Sequence, residues 1–126
     1  MADHNQRGNE SEEIASRHLI SEGYAILQRN WKAGKLELDI VARKDSTLII
    51  VEVKSRKEDD IVDPLDAVDD KKIRHIILAT DSYIRQNDWN GDVRFDLISV
   101  IRPIEGETLI EHIEDAFYPP IMNRGR

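Results

Sequence analysis

The sequence predicts an α/β domain in which a mixed central β-sheet is flanked by α-helices. Three observations carry that reading. A helix-spaced segment stands near the start, over residues 9–22. Two aliphatic runs, 36–43 and 47–55, follow it, joined near Asp45-Ser46. A second long helix-spaced segment separates them from two further strand-like runs. The resulting order is α-β-β-β-α-β-β. At 126 residues the chain is one domain, 1–126, long enough to bury a real core.

In the first helix Ile14, Ala15, His18 and Leu19 share a face, and Gly23 is placed as its stop. Asn9 followed by Glu12 fits a capping box. Tyr24 to Arg29 reads as a short strand and Asn30 to Lys35 as a turn. The run Leu48-Ile49-Ile50-Val51 favours a buried strand strongly. The acidic stretch 58–63 reads as a loop, and Asp63-Pro64 as a helix start, with proline at the first helical position. Helical spacing of apolar residues then continues to about Gln86. Residues 87–92 form a loop, and 93–101 and 108–113 two more strands. Residues 1–8 and 118–126 read as irregular tails.

Composition narrows the function classes. Hydrophobic residues make up 40% and charged residues 34% of the chain, as in a globular protein of aqueous compartments. No apolar run approaches the roughly 20 residues that span a bilayer. The polar N-terminus has no signal-peptide core, so a cytoplasmic location without membrane association is the expectation. There is no cysteine, which excludes disulfides and thiolate metal sites. Net charge is −7, against a nucleic-acid partner at first sight. The distribution qualifies this. Residues 1–57 hold 10 Lys/Arg against 9 Asp/Glu, and residues 58–126 hold 8 against 16. Within 28–57 the count is 8 basic to 4 acidic, which sets the hairpin among basic side chains.

Charge inside the two β-favouring runs calls for an explanation. Burying Asp39, Glu52 and Lys54 in a sheet is costly unless they pair or hold a metal. With a two-residue loop, opposed residues sum to 91. That register sets Asp39 against Glu52 and Glu37 against Lys54, all on one face. Two opposed carboxylates repel, and a divalent cation removes the conflict. Magnesium suits such a site, since it takes one or two carboxylates plus waters and phosphate oxygens. Lys54 beside it would position or deprotonate a metal-bound water, or stabilise charge developing on a phosphate. The alternative is structural: Glu37 and Lys54 as a cross-strand ion pair, with Asp39 and Glu52 on an exposed sheet face.

These residues resemble the PD-(D/E)xK nuclease motif, with Asp39 as its first acid and Glu52-Val53-Lys54 as its second half. The chain more widely resembles the uncharacterised bacterial family often called YraN, whose members look like Holliday-junction resolvases. The matching segments are Glu12 to Ala15, Gly23 to Lys32, Leu36 to Ala42, Ile49 to Arg56, Ala67-Val68 with Lys72, Arg94-Phe95-Asp96 and Ile110 to Phe117. The chain departs from the pattern in having Ser11 and Leu36 where glycine is usual. The resemblance covers about residues 11–117. It implies a restriction-endonuclease-like core. It also implies a Mg²⁺ or Mn²⁺ ion at Asp39, Glu52 and the Val53 carbonyl, a catalytic Lys54, and Glu12 reaching the site from the first helix. Glu37 is a further candidate there, as a metal-shell or ion-pair residue.

Arg56, Lys72, Arg29 and Lys32 are candidates for DNA phosphates, each also readable as solvated charge. Trp31 reads as packing rather than base stacking, and His18 as a core histidine. Arg94 is expected to pair with a carboxylate. The expected function is a metal-dependent endonuclease acting on structured or branched DNA, and a resolvase-like enzyme would be a homodimer. The alternative is a non-catalytic nucleic-acid or protein-interaction module on the same fold, which the acidic second half favours.

Overall fold

The computed structural model describes residues 2–57 and 68–117. Its elements are α1 (Ala2–Ser21), β1 (Ala25–Ala33), β2 (Leu36–Lys44), β3 (Thr47–Lys57), α2 (Asp70–Asn87), β4 (Asp92–Arg102) and β5 (Leu109–Ile113). The five strands form one sheet in chain order. Only β3 and β4 are parallel; the other neighbours are antiparallel. The parallel pair needs a crossover, and α2 supplies it. The fold is α/β with a mixed sheet and two helices, as a restriction-endonuclease-like core requires.

Each face of the sheet carries one helix. Ala15 and Leu19 of α1 pack with Tyr24, Ile40, Ala42, Ile49, Val51, Ile98 and Val100. Ile76, Ala79 and Tyr83 of α2 pack with Leu38, Val41, Leu48, Ile50, Phe95 and Leu97 on the other face. Alternate residues of β3 thus serve opposite helices, as the period of two demands. The chain leaves α1 at Gly23, whose φ of +93° suits a residue without Cβ. There the Tyr24 amide donates to the Leu19 carbonyl at 2.9 Å and the Gly23 amide to Ile20 at 3.0 Å.

Four expectations are corrected. The first helix begins at Ala2, not near Asn9, so residues 2–8 are no irregular tail. Asn9 is then internal to α1, and the capping box with Glu12 does not form. The strand β1 continues through Asn30 to Ala33, and only Gly34-Lys35 turns. Asn30 has a φ of +53°, so a real backbone kink lies where a turn is expected. The helix α2 has its own start at Asp69, whose carboxylate accepts the Lys72 amide at 2.8 Å. The expected start at Asp63-Pro64, the acidic loop 58–63, Ala67 and the tail 118–126 lie outside the described residues.

One polar cluster ties β5 to the sheet. Asp96 is fully buried and accepts hydrogen bonds from Arg94 at 2.8 and 2.9 Å and from the Asp115 amide at 3.1 Å. His112 Nε2 stands 2.8 Å from the same carboxylate, and Arg94 also donates to the Tyr24 hydroxyl at 2.6 Å. Burial alone would raise the Asp96 pKa, but His112, Arg94 and the Asp115 amide outweigh it and hold it low. Arg94 thus pairs with a carboxylate, as expected from the sequence. Asp96→Asn keeps the shape but loses the charge that these donors need. It is expected to destabilise the protein by about 1–3 kcal/mol, seen as a lower denaturant midpoint at unchanged slope.

A second stability test lies in the Asn90-Gly91 loop. A Cβ on Gly91 would stand 2.6 Å from the Ser46 carbonyl oxygen and 2.8 Å from the Trp89 ring. Backbone cannot move aside cheaply, so Gly91→Ala should cost about 1–3 kcal/mol. A variant with the wild-type midpoint would show that the β2–β3 turn yields freely.

Candidate active site

The site forms where the sheet loses its regularity. The β2–β3 ladder runs from Lys44↔Thr47 to Ile40↔Val51 and stops there. The expected sum of 91 holds along this stretch, and Asp45-Ser46 is the two-residue loop. On the other edge of β2, Arg29 pairs with Ile40 and Trp31 with Leu38 in one unshifted register, with Asn30 and Asp39 unpaired between them. The β3 ladder therefore ends before Asp39, while β1 stays paired with β2 on either side of it. Its side chain fills the gap, and Oδ2 accepts the Val53 amide at 2.9 Å.

This break slips the alternation of β2. Leu36 and Leu38 face α2, as does Val41, whereas Ile40 and Ala42 face α1. The expected one-faced cluster is corrected accordingly. Asp39 and Glu52 are not a ladder pair, nor are Glu37 and Lys54. Glu37 lies between two residues facing α2, so it belongs to the α1 face, where its charge acts on Glu12. Its register partner is Lys32 of β1. Glu52 lies on the α2 face, beyond Leu48 and Ile50. Asp39 is the hinge between the two sides, since its charge acts on Glu12 and on Glu52 alike.

The electrostatics are those of crowded acids. Glu52 is 4% exposed. Burial raises its pKa first, and the adjacent Asp39 charge raises it further. The protonated carboxyl also shares a hydrogen bond with Asp39. Against Lys72 and Lys54, these effects set the pKa at about 8. Glu12 of α1 is half-buried, and its pKa is raised by burial and by Asp39, with Asn30 and Arg29 opposing. Its Oε1 is buried without a hydrogen-bond partner. An orphaned carboxylate oxygen in a low-dielectric setting is unfavourable unless a cation or donor reaches it.

Cations reach Glu52 from the α2 side. Lys72 Nζ stands 3.5 Å from Glu52 Oε2. Lys54, on β3 two residues beyond Glu52 and on its face, lines a cleft of about 300 Å³ with Asp69, Lys71, Lys72 and His75. Nothing in the sequence pattern singles out Lys71 or His75. The spacing of Lys71, Lys72 and His75 along α2 is the one signal that puts them on a shared face.

The other basic candidates are placed elsewhere. Arg29 Nη1 is 2.7 Å from Glu13 Oε1, so it is committed to α1. Lys32 is exposed on β1 and Arg56 is half-buried on β3. Trp31 packs edge-on against Tyr83 with ring centroids 5.2 Å apart, the packing role expected of it. His18 is half-buried and edge-on to His112.

The donor set fits an oxygen-loving ion. Asp39, Glu52 and the Val53 carbonyl offer hard oxygens, with no thiolate in the chain. Among the described residues, no three His, Cys, Asp or Glu side chains form a closed metal cluster. Two carboxylates with open positions suit Mg²⁺ or Mn²⁺, which keep waters and take phosphate oxygens. They do not suit a structural zinc centre. No helix among the described residues is long and apolar enough to cross a membrane.

Comparison with known proteins places these residues in context. A family model described as "Uncharacterised protein family UPF0102" matches residues 11–100. A UPF0102 protein of Phocaeicola vulgatus is 53% identical over 121 residues, spanning 96% of this chain and 99% of that protein. One from Parabacteroides distasonis is 48% identical over 120 residues, spanning 95% and 98%. Among solved structures, Pyrococcus furiosus SfsA in complex with Ca²⁺ aligns at 18% identity and a TM-score of 0.39. The alignment spans 88% of this chain and 63% of that protein. A likeness that slight carries no argument.

Proposed function

The chain belongs to the bacterial family UPF0102, the YraN family, and from the site it carries we propose that it is a metal-dependent endonuclease acting on structured or branched DNA. The observation that carries this is Asp39 just past the end of the β2–β3 ladder, beside buried Glu52, with Lys54 on the Glu52 face. A divalent ion held by Asp39, Glu52 and the Val53 carbonyl would supply Lewis-acid polarisation of a phosphate. Asp39 is held in place for this by the Val53 amide, which donates to its Oδ2. Lys54 lines the basic cleft, where a phosphate oxygen gaining charge would accept from its ammonium. Glu12 brings a further carboxylate from the α1 side. Cutting a branched junction on both strands needs two such sites, so this reading includes a homodimer.

A cleavage panel tests the proposal: duplex, flap, single-stranded and four-way DNA with Mg²⁺ or Mn²⁺. Nicks that appear only with metal are expected on at least one branched substrate. A pure protein that cuts none of them would overturn the reading.

A second reading is a non-catalytic binding module on this fold. The −7 charge favours its protein-interaction form, and the basic stretch 28–57 suits its nucleic-acid form. Its signature is salt-sensitive DNA binding that metal leaves unchanged and that never leads to cleavage.

A further inference from the structure

We propose that Lys72 is an exchangeable counter-ion: it neutralises Glu52 while the site lacks metal, and moves to a DNA phosphate in the neighbouring cleft when a divalent ion arrives. The proposal deepens the nuclease reading and rests on it. Three observations carry it. The pair is asymmetric, with a Glu52 side chain 5% exposed and a Lys72 side chain 40% exposed. Lys72 therefore reaches a buried anion from an open position, and its flexible stem leaves it a second place to go. At 3.5 Å the contact is long for a charge-assisted hydrogen bond, so geometry does not lock it. That second place is the cleft where Lys72 stands with the cations Lys54 and Lys71 and the His75 ring, with Asp69 as the one acid.

The exchange follows from charge. Once ionised, Glu52 needs a cation because it is buried next to Asp39. A lysine satisfies it with one charge and a divalent ion with two. An ion between Asp39 and Glu52 repels the ammonium at Glu52, and a phosphate in the cleft attracts it. Metal and phosphate then favour the same position of Lys72, so each should strengthen binding of the other. The substrate class named is a polyanionic backbone whose phosphate reaches the α2 side of the sheet. Lys72 is here a positioning residue, since it acts on the metal through Glu52.

Lys72→Met keeps the stem and removes the charge. At pH 8.5, where Glu52 is ionised, calorimetry with Ca²⁺ and with Mn²⁺ should show metal binding tightened by about fivefold, because a competing cation is gone. Anisotropy of a fluorescein-labelled four-way DNA junction in Ca²⁺ should show the reverse, a junction affinity weakened by about fivefold. Without metal, the variant and the wild type should bind the junction equally. Lys71→Met lacks the Glu52 contact and should weaken the junction without tightening the metal. Opposite shifts in Lys72→Met are what neither a surface charge nor a plain structural ion pair produces. If the wild type binds metal through Asp39 but Lys72→Met leaves metal affinity unchanged or weaker, the exchange is wrong and the nuclease reading stands. If the wild type takes up neither ion, both fall together.

Discussion

Lys54→Ala is expected to slow metal-dependent DNA cleavage by about 10²–10³-fold, the usual effect of deleting a donor aimed at developing charge. The size of the loss follows from its position. Lys54 stands two residues beyond Glu52 on β3 and lines the cleft beside it. Its side chain is only half-buried, so its removal opens no core cavity and the fold should persist. Asp39→Asn tests the other half of the site. The amide oxygen can still accept from the Val53 amide, which preserves the link between β2 and β3. Only the charge is lost, and with it the attraction for a divalent ion. Cleavage should fall to background while thermal unfolding changes little. Single-turnover cleavage with Mn²⁺, alongside circular dichroism, separates the two. Unchanged cutting by both variants would place the active site elsewhere.

Glu52→Gln is expected to make the metal-free protein more stable at pH 8, although it should abolish cleavage. The sign follows from the shift. The folded pKa is raised from 4.5 to about 8, so between these values the folded chain holds a proton that the unfolded chain has released. Stability therefore falls as pH rises from about 4.5 to about 8. By linkage the loss amounts to a few kcal/mol at most, shared with Asp39 because the two acids titrate together. Glutamine is neutral throughout and removes most of that slope. The melting temperature of the variant should stay flat from pH 5 to 8 while that of the wild type declines by several degrees. Mg²⁺ should restore the wild type at pH 8 and leave the variant unmoved. Asp96 does not confuse the profile. Its pKa is held below 3.8, so its contribution is lost only as pH falls into the acid range. A wild-type profile that is flat without metal would show that Glu52 is ionised at no cost.

Much of this was legible in the chain because it is local. The two-residue connection Asp45-Ser46 follows from β-favouring runs on each side, and the 91 register is what the structure shows next to it. The face Ile14-Ala15-His18-Leu19 follows from helical spacing, and Gly23 from the need for a positive φ. Asn30 marks a kink that reads as a turn, because its positive φ is a local preference while the continuation of β1 to Ala33 rests on pairing with β2. The reach of α1 back to Ala2 was not legible, since its first residues show no apolar stripe and Asn9 offers a cap that is not used.

The sequence by itself determined the strand and helix order, the hairpin connection and the identity of the candidate acids and lysine. Periodicity and turn chemistry are properties of neighbours along the chain. Tertiary structure alone decided which charges meet. The face alternation of β2 changes phase around Asp39, so Glu37 goes to the α1 face while Glu52 stays on the other. The Lys72–Glu52 contact and the Asp96 cluster join residues far apart in the chain. No local pattern records which face of the sheet a helix will cover, and that choice sets every one of these contacts.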